Sequence, residues 1–299
     1  MTVTGILPVI PTPFADGRFD AASFERLLEH MLPHVDGYTL LGSTGEAPSL
    51  PVETRRRIAA EALRLTPRDK TVVVGVSSTS VEDAIALARD AEEHGCGGVL
   101  CAAPYYFANT DSGILRFLER LDRALGVDLV LYDNPAATKT LLGAQAVVGW
   151  ADALEHLTTV KLTDHDLTKI PVWHAAGLTV LAGDDPIIFR YLAAGVDGVM
   201  VIAPAVFPEP FRRTYDLVKS GADAQAYEVF AREILPFLHV FGIGTEIATT
   251  KALWASLGIF ASAEVLPPLE PASAERTELL RVAYDLGVAG SKARANVVS

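Results

Sequence analysis

The chain has little cysteine: only Cys96 and Cys101 occur in 299 residues. Two thiols this close together cannot staple a secreted scaffold or supply a Cys-based zinc or iron–sulfur site, so both read as buried, reduced side chains. Positive charge is also short. Against 37 Asp and Glu stand 25 Lys and Arg, a formal net charge of −12. That is the wrong sign for a nucleic-acid binder or a protein held at an anionic membrane. No run reaches the ~18 uncharged apolar residues that a membrane span needs. The opening MTVTGILPVIPTPF has no basic stretch before an apolar one, so no signal peptide is expected and the expected compartment is the cytoplasm. The sequence also lacks G-x-G-x-x-G, a P-loop, G-x-S-x-G and paired C-x-x-C motifs. Glu29, His30 and His34 share a helical stretch, but Pro33 interrupts it and no further ligands accompany them, so no metal is expected.

What is present is apolar and regularly spaced. Half of the residues are hydrophobic and the mean hydropathy is +0.28, enough for a substantial core. The length permits two domains, yet one α/β barrel commonly runs to ~250 residues. Eight short β-rich runs occur, at 5–10, 37–41, 71–76, 98–102, 128–132, 158–162, 178–181 and 198–202. Each precedes a segment with helical spacing, at 21–32, 52–65, 81–94, 112–125, 144–154, 167–175, 186–194 and 208–219. The runs are continuously apolar, as strands of a parallel sheet buried on both faces must be. Strict alternation of eight such units predicts an α/β fold, a (β/α)8 TIM barrel. A doubly wound open sheet is the competing architecture, but the first turn, IPTPFADG, carries no phosphate-binding glycine pattern.

After Gly221 the pattern changes to helices without strands, at 222–241, 245–257 and 274–286, with a Pro-rich connection at 261–273 and a mobile tail expected over 290–299. The expected organisation is a barrel over 1–220 and a C-terminal helical region over 221–299 packed on it.

In such a barrel chemistry sits at the C-terminal strand ends. Those ends carry Gly42-Ser43-Thr44-Gly45-Glu46, Pro104-Tyr105-Tyr106, Tyr132-Asp133-Asn134-Pro135 and Gly183-Asp184-Asp185, while Lys161 lies inside the sixth strand. Lys161 is one of seven lysines and the one embedded in the body of an expected buried strand. An ammonium there loses hydration, and a partly neutral amine attacks carbonyls and forms a Schiff base. An outward-pointing or ion-paired lysine is the alternative. Tyr132 on the neighbouring strand suits proton transfer as a carbinolamine collapses, or is a buried tyrosine with one hydrogen bond. Ser43 and Thr44 offer hydroxyls and amides for a carboxylate, or a turn that only caps a helix. Asp164 and His165 could line the mouth or merely precede a helix.

On GSTGE at 42–46, APYY at 103–106, YDNP at 132–135, the strand-six lysine, AGDD at 182–185 and the closing KALW and LPPL segments, the chain resembles the dihydrodipicolinate synthase and N-acetylneuraminate lyase family of pyruvate-dependent class I aldolases. The resemblance runs essentially end to end. It implies that Lys161 forms an imine with the C2 carbonyl of pyruvate or another 2-oxo acid, and that the enamine adds to an aldehyde or arises from cleavage of a longer acid. It implies that Thr44 holds the carboxylate and that Tyr132 is the acid–base group. Tyr132 would be linked through Ser43 to Tyr106, which would reach into a neighbouring subunit of a homo-oligomer, a tetramer or dimer. Main chain near Gly183 and Ile202 would shape the pyruvate pocket, and no cofactor would be needed because the imine is the electron sink.

Departures bear on the second substrate. The resemblance implies an arginine where Ala137 stands, with Lys139 two residues on. Losing a bidentate clamp weakens carboxylate binding, and Lys139 offers a different geometry. Ser43 and Thr163 lean toward the sugar-acid members, yet Pro186 stands where an acidic sugar-binding residue would be. A sugar-acid aldolase or dehydratase, a true 4-hydroxy-tetrahydrodipicolinate synthase and a non-catalytic pyruvate sensor all remain open on these residues.

Overall fold

The computed structural model describes residues 3–241 and 246–298, with side chains to 291. Eight parallel strands form one sheet: β1 (Gly5–Ile6), β2 (Gly37–Leu40), β3 (Thr71–Gly75), β4 (Gly98–Ala102), β5 (Asp128–Asp133), β6 (Leu157–Leu162), β7 (Thr179–Ala182) and β8 (Gly198–Val199). Neighbours in sequence are neighbours in space from β2 to β8, and β8 then pairs with β1. β1 is short because Pro8 has no N–H for the ladder. The chain beyond it still bonds on both sides. Leu7 and Val9 donate to Val199 and Val201, while Thr39 donates to Pro8 and Ile10 donates to Thr39. The Val9–Thr39 bridge thus brings β1 against β2 and closes the barrel. The (β/α)8 expectation holds, with strand limits shifted by a few residues.

The outer helices are α1 (Ala21–Met31), α2 (Val52–Leu65), α3 (Val81–Glu93), α4 (Asp111–Asp122), α5 (Ala144–Ala153), α6 (Lys169–Ala175), α7 (Ile188–Ala193) and α8 (Pro208–Lys219). Each buries one apolar stripe. In α2 it is Ile58, Ala59, Ala62 and Leu63, and in α4 it is Ile114, Leu118 and Leu121. Caps fix the starts: Asp20, Ser80 and Thr110 accept the amides of Ser23, Asp83 and Gly113.

The C-terminal region is helical: α9 (Asp223–Glu233), α10 (Leu235–Val240), α11 (Glu246–Ser256) and α12 (Ala274–Val298). The single helix expected over 222–241 is two, because Pro236 cannot donate to the turn before it and the helix restarts after Ile234. Residue 245, the expected start of the next helix, lies outside the described residues. The segment expected as a mobile tail continues α12 to Val298. Its Ala, Lys and Arg favour helix, and a helix nucleated by burial of Leu280 and Ala283 propagates readily. No helix among the described residues is long and apolar enough to cross a membrane.

Candidate active site

Parallel register decides which side chains meet. Tyr132 pairs with Ala102 on one side and Lys161 on the other, and Lys161 in turn pairs with Leu181. The Lys161 ammonium lies 4.2 Å from the Tyr132 ring centroid, and both residues are under a tenth exposed. Among the described residues no carboxylate comes within ion-pairing distance of Lys161. The Tyr132 hydroxyl accepts a 2.9 Å hydrogen bond from the Asn134 amide, whose oxygen in turn accepts the Ala137 N–H.

Gly183 lies against this lysine. A Cβ there would stand 2.9 Å from Lys161 Cε and 2.4 Å from Thr163 Oγ1, so only glycine lets the lysine and threonine side chains pack this close to the backbone. Thr163 donates to the Gly183 carbonyl at 3.4 Å. Both oxygens of Asp185 accept backbone N–H groups, from Ile202 and Ala203 at 2.8 Å each. The Ile202 carbonyl accepts from Ala205. Ile202 main chain is therefore engaged within the protein. Burial pushes the Asp185 carboxyl up to about 6 against the pull of those two amides.

The 42–46 loop is held from three directions. Leu41 and Glu46 adopt left-handed conformations, and the Thr12 hydroxyl donates to the Gly45 carbonyl at 2.7 Å. Glu46, buried, pairs with Lys251 of α11 and accepts the Leu266 N–H at 2.7 Å. Ser43 is left exposed and Thr44 half-buried, and their hydroxyls make no protein hydrogen bond among the described residues, while the Ser43 carbonyl accepts the Glu46 N–H. Among the described residues, the non-glycine residues with positive φ, Asp16, Leu41, Glu46, Tyr106 and Lys139, fall in loops that follow strands at this end of the barrel. Such strain, on the order of 1–3 kcal/mol per residue, concentrates where backbone placement serves a site.

A cavity of about 190 Å³ brings together Ser43, Tyr132 and Ala137 with Ser77, Tyr105 and Asn134, which the sequence reading assigned no role. Lys139 is exposed and does not line it. Nor does Tyr106. With φ of 83° its ring turns outward, 76% exposed, and packs edge-on against Phe107 at 5.0 Å. The expected relay from Tyr132 through Ser43 to Tyr106 is therefore not assembled within one chain, because the left-handed backbone swings Tyr106 away while Tyr105 takes the inward place.

One buried cluster went unread. Lys169 of α6 donates to Asp133 at 2.7 Å and to Asp164 at 2.6 Å, tying the ends of β5 and β6 together beside Tyr132 and Lys161. Burial raises the Asp133 carboxyl, and the Lys169 hydrogen bond only partly offsets this. Burial also opposes charge on Lys169, but the two carboxylates prevail and hold its ammonium above the ordinary lysine value. A signal was present: 169, 170 and 173 form the buried stripe of α6, which places a lysine on an apolar face. Asp164 thus belongs to this cluster, and His165 bonds Asp184 at 2.9 Å across the mouth. No group of three or more His, Cys, Asp or Glu among the described residues is arranged to hold a metal ion.

Comparison with known proteins gives a consistent result. The Dihydrodipicolinate synthetase family model matches residues 2–285. The 4-hydroxy-tetrahydrodipicolinate synthase of Thermotoga maritima is 29% identical over 286 residues, covering 93% of this chain and 96% of the relative. That of Thermosipho africanus is 26% identical, covering 92% and 96%. Among solved structures, dihydrodipicolinate synthase from Thermotoga maritima superposes with a TM-score of 0.89 at 27% identity, over 95% of this chain and 98% of the other. A prophage protein of the dihydrodipicolinic acid synthase family from E. coli K12, solved in complex with pyruvate, gives 0.88 at 26%, over 94% and 97%.

Proposed function

The chain belongs to the dihydrodipicolinate synthetase family, lyases of the aldolase type, and from that premise we propose that Lys161 is its Schiff-base nucleophile toward pyruvate or a related 2-oxo acid. The observation that carries the reading is the state of Lys161: buried, with its ammonium 4.2 Å from the Tyr132 ring centroid, and without a carboxylate partner among the described residues. An amine that no ion pair ties up is free to attack a carbonyl carbon. The relative solved with pyruvate supports the choice of acid.

The Lys161 amine adds to the C2 carbonyl, and loss of one water gives the imine. A proton leaves C3 and the enamine forms, its electron pair held by the imine nitrogen. C3 then attacks the aldehyde carbon, the new alkoxide takes up a proton, and hydrolysis returns free Lys161 and product. Cleavage of a longer 2-oxo acid runs the same steps backward. The sequence has no net redox change and calls for no cofactor. Tyr132 would carry protons in these steps, a reading supported by its ring lying beside the amine and its hydroxyl accepting from Asn134. Ser43 and Thr44, with loop amides, would hold the carboxylate against the unfavourable −12 field. The exposed Tyr106 fits an assembly in which a second copy covers it.

Borohydride reduction with pyruvate followed by intact mass tests the reading. One reduced pyruvoyl group should be added to the wild type and none to Lys161→Ala. No added mass on the wild type would sink it.

A further inference from the structure

The cavity beyond Tyr132 bears on the second substrate. Its apolar wall is Leu41, Ala47, Pro48, Ala102 and Ala137, and among the described residues no Asp, Glu, Lys, Arg or His lines it. Its polar atoms are largely turned inward. The Ser77 hydroxyl accepts the Ala102 N–H, and the Thr138 hydroxyl donates to the Asn134 carbonyl. Asn134 is occupied at both ends of its amide, by Tyr132 and by the Ala137 N–H. Of the polar side chains in the wall, the hydroxyls of Ser43, Tyr105 and Tyr132 and the O–H of Ser77 retain capacity for a ligand. The Arg55 guanidinium donates to the carbonyls of Gly75 and Ser77, at 2.9 and 3.0 Å. The Lys169 ammonium is committed to Asp133 and Asp164.

We propose that this cavity takes the distal part of an uncharged, predominantly apolar aldehyde, a single ring or a short branched chain, rather than a carboxylate-bearing or polyhydroxylated one. The inference rests on Lys161 carrying the pyruvate imine, one Tyr132 ring away. A desolvated carboxylate would find no cation here, and a polyol would leave most of its hydroxyls without partners. Size agrees: an apolar cavity of roughly 150 Å³ takes a benzene ring, and this one is about 190 Å³. Ala137 is the specificity-determining position, because its small side chain faces the cavity and sets both its volume and its neutrality.

The test compares benzaldehyde, 3-methylbutanal, succinic semialdehyde and glyceraldehyde as partners of pyruvate, on wild-type protein whose imine has been verified by borohydride trapping. The apolar pair should exceed the other two in kcat/KM by about 100-fold. Ala137→Arg should move the ratio of succinic semialdehyde to benzaldehyde upward by at least ~10-fold, with trapping on the variant separating re-specification from misfolding. Equal or faster turnover of the charged or hydroxylated aldehydes overturns the inference, as does imine formation with no condensation of either apolar aldehyde. Failure of trapping itself sinks instead the reading beneath it.

Discussion

Lys161 and Lys169 are equally buried, 4% exposed each, and stand in opposite surroundings. Lys169 meets two carboxylates, and Lys251, fully buried, meets Glu46 and the Glu264 carbonyl. Lys161 meets an aromatic face and packs against the backbone at Gly183. The first two are clamps. Lys169 joins the ends of β5 and β6, and Lys251 ties the 42–46 loop to the C-terminal helices. The contrast teaches that burial alone does not mark a reactive lysine. What distinguishes one is burial without an ion-pair partner, since only then is the amine free to meet a carbonyl.

The comparison breaks most decisively through Lys161→Met. Turnover should fall by roughly 10⁴-fold or more, while stability in urea should hold or rise, since an uncompensated charge is replaced by an apolar chain of similar length. A stability loss as large as that of a clamp variant would show Lys161 to be structural. Next come the clamps themselves. Lys169→Met and Lys251→Met strand buried carboxylates and should each cost about 3–5 kcal/mol in unfolding free energy. A loss near zero in both would erase the distinction between the two kinds of site.

Tyr132→Phe sharpens the contrast from the other side. It keeps the aromatic face over Lys161 but removes the hydroxyl that Asn134 holds, so turnover should slow by about 10²-fold while trapping with pyruvate survives. An unaltered rate would remove Tyr132 from the proton path. The smallest effect concerns Asp185, buried and held by the Ile202 and Ala203 amides. Its folded value, about 6, lies above the ordinary aspartate value near 4. The folded state therefore keeps a proton that the unfolded chain has released, and this contribution to stability is lost as pH rises from about 4 to about 6. The loss is on the order of 2 kcal/mol, and Asp185→Asn should flatten that slope in urea titrations across the window. Identical slopes would refute it.

The eightfold alternation of apolar run and helical stretch was legible because each strand and each helix announces itself locally, by continuous apolarity or by a stripe of 3.6-residue period. Lys161, Tyr132, Ser43 and Ala137 were legible as candidates because they fall at or next to the strand ends where barrels keep their chemistry. The break in the helix near Pro236 was open to the same local reasoning and was overlooked. The Lys169 cluster was not legible as a cluster: its members lie 36 and 5 residues apart and meet because β5 and β6 are neighbours.

The sequence by itself determined the order of elements, the charge deficit and the residue types at the mouth, since these are properties of composition and spacing along one chain. Only the tertiary structure decided which lysine goes uncompensated, that Tyr105 faces inward where Tyr106 faces out, and that the space beyond Tyr132 is uncharged. Each of those depends on strand register, on backbone φ at single loop residues, and on partners brought from distant segments, none of which is written in the local pattern.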